Sequence, residues 1–285
     1  MEEPRLVLAE ERTLSLPDNA SVTGGMLDRH DLLVWGPHHV WQFKTTADDS
    51  VAVLIESPDA VVIAAELDAE GVLALRLTSS NALTLSRLSP YNRQLAVWRL
   101  PFRPEQARKC GGGWYIGGRD GSRFYEVVRL VKRQAIRMWS SAYASGSVTP
   151  YTLSCIGEHI AVTDVAAPFA TMTIATSPDG NAVLRSPRPD STDFGTALFP
   201  TWISSPVFPL GRWSLQVLAE LRGDRRLFVL YDSNGRELRR RGLEAPLGLL
   251  ATSENSPHIL ATRRARGTEV ILYRWRWAES LLGTS

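Results

Sequence analysis

Cysteine, histidine and lysine are scarce in this chain. Two cysteines in 285 residues are too few for the disulfide framework of a small secreted domain. The five histidines do not show the spacing of a zinc site. His38 and His39 are adjacent, with His30 nearby, but neighbours in a strand point to opposite faces and do not readily chelate one ion. Only Lys44, Lys109 and Lys132 are lysine among 32 basic residues, a bias that looks like a GC-rich bacterial coding background rather than a phosphate-binding signal. No apolar run approaches the about 18 residues of a membrane-spanning helix. The opening MEEPRLVLAEERTLSLPD has acids and no apolar core of signal length. A soluble, reduced, cytoplasmic protein is the expectation, with no membrane partner.

The chain has a globular apolar fraction of 44% and a net charge of +2 that hides an asymmetry. Residues 1–100 carry 8 basic and 14 acidic side chains, and residues 101–285 carry 24 and 16. Strong helix signals are nearly absent. Short β-branched or aromatic runs alternate with Gly, Pro, Asn, Asp and Ser at intervals of roughly 8–12 residues. RQLAVWRL at 93–100 returns as RQAIRMWS at 133–140, and CGGGWYIGG at 110–118 is echoed by CIGEHIAVT at 155–163. Repeats of 40 and 45 residues in a strand-rich chain predict one four-stranded sheet per repeat.

The expected fold is therefore all-β: a single domain over 1–285, a six-bladed β-propeller of four-stranded antiparallel blades, with seven blades as the alternative count. Blades are predicted over about 20–58, 59–102, 103–145, 148–189, 190–245 and 247–276. The last has only three strands of its own. A spare strand at 12–16, in RTLSLP, is predicted to join it and close the ring, removing two free sheet edges. Blade five carries an insertion over 200–209, and 279–285 reads as a frayed tail. The turns in YDSNGREL (231–238) and SPDGNAVL (177–184) resemble those of NHL-like and WD40-like bacterial propellers. The WD40 Gly-His and Trp-Asp series and the kelch double glycine are absent, so the resemblance is to the architecture.

Chemistry is thinly represented. Cys110 and Cys155 fall at equivalent inner-strand ends of adjacent blades. A zinc pair, a redox couple and two small buried residues stay open, and the last is favoured because no helix N-terminus activates either thiol. A lactonase-like hydrolase needs hard oxygen ligands converging on the channel. Glu66, Asp68, Asp164 and Asp179 sit at strand ends or turns, and only Glu66 lies close to an inner strand. No catalytic, metal or cofactor residues are assigned.

The expected function is a non-catalytic protein-interaction scaffold or sensor subunit of a bacterial multiprotein system, of signalling or defence type. A metal-dependent propeller hydrolase and a nucleic-acid-binding propeller are the alternatives. Arginines crowd the last third of the chain, and such a patch attracts an acidic partner. YRWRWAE at 273–279 places Arg274 and Arg276 on one strand face, with Trp275 and Trp277 on the other. The candidate partner-binding residues are Phe199, Trp202, Phe208 and Trp213 around the blade-five insertion, with Arg239, Arg241, Arg274 and Arg276. Nucleic acid is disfavoured because no basic groove is interleaved with exposed aromatics.

Overall fold

The computed structural model describes residues 5–14, 16–17, 20–28, 30–45, 52–56, 59–88, 92–141, 151–156, 159–164, 171–177, 180–185, 202–204, 208–210, 213–220, 226–231, 237–243, 247–252, 256–264 and 268–278. Among these residues every regular element is a strand, and the strands form six antiparallel sheets. The first holds β2 (Gly24–Leu27), β3 (Asp31–Trp35), β4 (His39–Lys44) and β5 (Ala52–Glu56). The second holds β6 (Ala60–Asp68), β7 (Gly71–Thr78), β8 (Ala82–Arg87) and β9 (Arg93–Arg99). The third holds β10 (Arg103–Cys110), β11 (Gly113–Arg119), β12 (Tyr125–Val131) and β13 (Gln134–Ser140). The fourth holds β14 (Tyr151–Ile156), β15 (His159–Asp164), β16 (Thr171–Ser177) and β17 (Gly180–Arg185).

In the fifth sheet β18 (Trp202–Ser204) and β19 (Phe208–Leu210) both pair with β20 (Trp213–Glu220), which continues to β21 (Arg226–Tyr231) and β22 (Glu237–Leu243). The segment read from sequence as an insertion thus holds two short strands of the sheet. The sixth sheet holds β23 (Leu247–Thr252), β24 (His258–Arg264) and β25 (Thr268–Ala278), and its fourth strand is β1 (Arg5–Leu14). This N-terminal strand is longer than the predicted 12–16 and lies further towards the start of the chain. It pairs with β25 from Arg5↔Ala278 to Leu14↔Val270, with a register shift between Glu10 and Arg12.

An inner-edge strand of each sheet touches that of the next. β2 contacts β6, β6 contacts β10, β10 contacts β14, β14 contacts β19, β19 contacts β23, and β23 contacts β2, so the sheets stand in a ring. Each sheet is a blade, with that strand innermost. Second strands are covered on both faces by neighbouring blades and read as unbroken apolar runs: DLLVW in β3 and GWYIGGR in β11 are buried almost throughout. Outer strands have solvent on one side, and β9 and β13 are mostly exposed.

Among the described residues three clusters pack neighbouring blades together. One joins blades one to three through Leu33, Trp35, Leu75, Trp98, Trp114 and Ile116. A second joins blade six to blade one through Leu14, Trp41, Phe43, Leu260 and Leu272. A third joins blades three and four through Tyr115, Tyr125, Tyr151, Leu153 and Ile160. The β10–β11 hairpin turns on Gly111 and Gly112, with φ of 53° and 74°, and two consecutive positive φ values in a two-residue turn call for glycine.

Candidate functional site

The inner strands present one level of mixed chemistry to the centre of the ring. A cavity of about 160 Å³ lies there, walled by Met26 and Leu27 of β2, Ala64 to Glu66 of β6, Ala107 to Lys109 of β10, Ser154 and Cys155 of β14, and Leu250 to Thr252 of β23. Trp35 and Trp114 complete its apolar wall. Glu66 and Lys109 supply opposite charges from neighbouring blades. Burial pushes the Glu66 carboxyl up to about 7, Lys109 pulls against that rise, and Asp28 and Asp68 add to it. Burial also works to raise Asp68, but the fork from Arg87 at 2.9 and 3.1 Å and the Glu70 N–H overcome it and hold Asp68 below the usual carboxylate range. Ser154 is buried and its hydroxyl has no hydrogen-bond partner among the described residues.

Cys110 and Cys155 are joined by a disulfide, with Cα atoms 5.6 Å apart. This corrects the favoured expectation of two small buried thiols. Their repeat positions place them on β10 and β14, whose mutual contact brings the side chains within bonding reach. The bond lies at the same channel level as Lys109 and Ser154.

The histidine pair has separate roles: His38 Nδ1 lies 3.2 Å from the Ala60 carbonyl, while His39 stacks on Trp41. Among the described residues no group of three or more His, Cys, Asp or Glu side chains is arranged to hold a metal ion. Of the four acids weighed as calcium ligands, Glu66 and Asp68 share β6, Asp164 ends β15, and Asp179 lies outside the described residues.

Of the partner-binding candidates, Trp202, Phe208 and Trp213 lie on β18, β19 and β20, Arg239 and Arg241 lie on β22, and Phe199 lies outside the described residues. Arg274 and Arg276 are exposed on β25 and Trp275 between them is half-buried, the alternation expected of the strand. Arg274 pairs with Glu11 of β1, so part of its charge is balanced within the protein.

Two constellations were not anticipated. His258 is buried, its Nε2 2.8 Å from Glu11 Oε2 and its Nδ1 2.8 Å from Ser256 Oγ. Glu11 occupies the register shift of β1, which aims it across β25 to His258. With Ser256 only 4% exposed, this relay locks the N-terminal strand to blade six and is unsuited to attack a substrate.

The second is the outer rim of blades two and three. Leu95 and Val97 are each 43% exposed, and Val131 and Ile136 each 37%. Around them stand exposed Arg93, Arg99, Lys132, Arg133 and Arg137. Arg137 approaches Glu126 at 3.7 Å, whereas none of Arg93, Arg99, Lys132 and Arg133 is ion-paired among the described residues. The Trp98 indole donates to the Lys132 carbonyl at 3.0 Å and ties the two rims together. The repeated RQ-x-x-x-W/M pattern marks both outer strands, but it reads as a structural period before it reads as a surface.

Comparison with solved structures agrees with this geometry. A protein of unknown function from Bacteroides caccae matches with a TM-score of 0.53 at 13% identity, over 85% of this chain and 95% of the other. A chain of the mitotic checkpoint complex matches with a TM-score of 0.58 at 11% identity, over 96% and 98%. The fold is a β-propeller. No protein-family model matches the sequence, and no curated protein does. Among the described residues no helix is long and apolar enough to cross a membrane.

Proposed function

We propose that this propeller is a non-catalytic interaction scaffold or sensor subunit of a bacterial multiprotein system, of signalling or defence type, that engages an acidic protein partner. The observation that carries the reading is the rim of blades two and three, where exposed Leu95, Val97, Val131 and Ile136 lie among basic side chains most of which are not ion-paired among the described residues. Apolar anchors inside a ring of one charge suit a partner segment that alternates apolar and acidic residues. The fold supports it, since rigid sheets hold variable outer surfaces in fixed positions. The chain of the mitotic checkpoint complex offers a precedent for the fold inside an assembly. Arg239, Arg241, Arg274 and Arg276, with Trp202, Phe208 and Trp213, are second candidate contact residues from blades five and six, and Phe199, which lies outside the described residues, is kept with them from the sequence. A cytoplasmic setting belongs to the same proposal, and the Cys110–Cys155 bond weighs against it because disulfides persist in oxidising compartments.

The test is affinity capture from the native host with wild type, L95D/V97D and R239E/R241E, each first shown to melt like wild type. Point substitutions are needed because β18 and β19 are sheet strands, and deleting 200–209 would remove them. A stoichiometric partner lost with L95D/V97D supports the rim, and one lost only with R239E/R241E moves the contact to blade five. Absence of any stoichiometric partner removes the scaffold reading.

A further inference from the structure

From the channel cavity we infer a binding site for a small apolar α-amino acid, held by Glu66 and Lys109 from adjacent blades, with Ser154 as a further donor. The site is spatially separate from the rim, since it lies between inner strands. Three observations carry it. The cavity, about 160 Å³, matches the engineered apolar cavities that hold a benzene-sized guest, so a ligand of roughly six to ten non-hydrogen atoms fits. Its polar side chains among the described residues are few and of both signs: the Glu66 carboxylate on β6, the Arg108 guanidinium and Lys109 ammonium on β10, and the Ser154 and Thr252 hydroxyls on β14 and β23. The Ser154 hydroxyl is the independent pointer. It belongs to a cavity-lining residue 2% exposed, the oxygen itself is covered, and it has no hydrogen-bond partner among the described residues, a costly state that a ligand carboxylate would relieve by displacing the atoms over it.

A zwitterion satisfies this set better than an ion of either sign. Its carboxylate would take Lys109 and Ser154, its ammonium would take Glu66, and an aliphatic or thioether side chain would lie among Met26, Trp35, Trp114 and Leu250. A simple anion would meet Glu66, and a simple amine would meet Lys109. Arg108 also lines the cavity, but its guanidinium donates to the Ala107 carbonyl at 3.0 Å.

Proton linkage supplies a signature. The charged groups acting on Glu66 are Lys109 of β10, Asp28 after β2, and Asp68 of β6, itself held by Arg87 of β8. A ligand ammonium needs Glu66 ionised, and burial keeps the free carboxyl protonated up to about pH 7. The dissociation constant should therefore rise about tenfold for each pH unit below 7.

The experiment is isothermal titration of the full chain with L-leucine, L-methionine, isocaproate and isoamylamine at pH 6 and pH 8. One or both amino acids are expected to bind, more tightly at pH 8, with isocaproate and isoamylamine at least about tenfold weaker. E66Q and K109M should each weaken the amino acid by about tenfold or more, and E66Q should also flatten the pH dependence, whereas K109M should move it to higher pH because Lys109 no longer opposes the rise of Glu66. If neither amino acid binds wild type, or if the single-charge analogues bind equally well, the inference is overturned. Unchanged amino-acid affinity in folded E66Q and K109M overturns it too. The analogue series uses only wild-type protein, so a misfolded variant leaves the test intact.

Discussion

Opening the Cys110–Cys155 bond should cost the protein a large part of its stability without altering its native packing. The bond closes a loop with a sequence separation of 45 residues. For a loop of that length the chain-entropy relation gives roughly 4 kcal/mol at room temperature, exerted by restricting the unfolded chain. The native contacts around it do not depend on the bond, because Tyr115, Tyr125, Tyr151 and Leu153 already pack blades three and four together. In a domain of this size about 4 kcal/mol corresponds to a fall in melting temperature on the order of 10 °C.

The cleanest comparison is wild type with and without reductant, since it holds every side-chain volume fixed. Unfolding is followed in urea by tryptophan fluorescence, and near-ultraviolet circular dichroism is recorded at zero denaturant. The expected result is a lower midpoint after reduction, with the native spectrum unchanged. Thiol titration in denaturant should find no free cysteine before reduction and two after it. Two free thiols in unreduced protein would refute the pairing. A midpoint unmoved by reduction would refute the energetic reasoning even if the bond is present. Alkylation of intact cells before lysis then reports which state the host maintains, and so which compartment the protein occupies.

Two further outcomes follow from buried polar groups. E66Q should stabilise the protein at pH 8 by roughly 3 kcal/mol and leave it unchanged near pH 4. The unfolded carboxyl loses its proton near 4.5 and the folded one near 7, so the folded state binds more protons in that window and wild-type stability falls as pH rises across it. Urea midpoints against pH test this, and a difference that grows towards acid pH would reverse the sign. H258A removes bonds to both Glu11 and Ser256 and should cost roughly 2–3 kcal/mol. Hydrogen exchange should quicken in β1 before β12, and uniform quickening would deny that His258 acts as the lock on the N-terminal strand.

Most of the blade pattern is legible in the sequence, because each strand buried between blades is an apolar run and each hairpin is marked by turn residues. The departures share a cause: polar residues or prolines interrupt the period where the geometry is irregular. β10 runs through RPEQARKC, which buries only Pro104, Ala107 and Cys110, with a register shift between Pro104 and Gln106. β1 contains the pair Glu10-Glu11, which breaks alternation, and the shift there turns Glu11 towards His258. Pro209 suggests a loop, yet β19 is the inner edge of its sheet, and an edge strand tolerates proline. The channel residues were harder to read. Glu66 is visible as an acid near an inner strand, but Lys109 and Ser154 become neighbours of it only when three blades close around the axis.

The same closure bears on how a sensor and a scaffold could be one object. Glu66 belongs to blade two and Lys109 to blade three, so a zwitterion seated between them would bridge those blades. The rims of the same two blades meet where Trp98 of β9 bonds the Lys132 carbonyl between β12 and β13. Channel and rim therefore lie at opposite ends of one inter-blade contact, filled by Leu75, Trp98, Trp114 and Ile116. A close-packed contact of this kind transmits a change in spacing more readily than a fluid one. Ligand in the channel and partner on the rim would then act on each other's affinity by the same factor, as linkage requires, and only to the extent that the ligand distinguishes two spacings of the blades. The disulfide limits where that movement can occur. It fixes β10 to β14 at the channel level, so blade three is tied covalently to blade four and not to blade two.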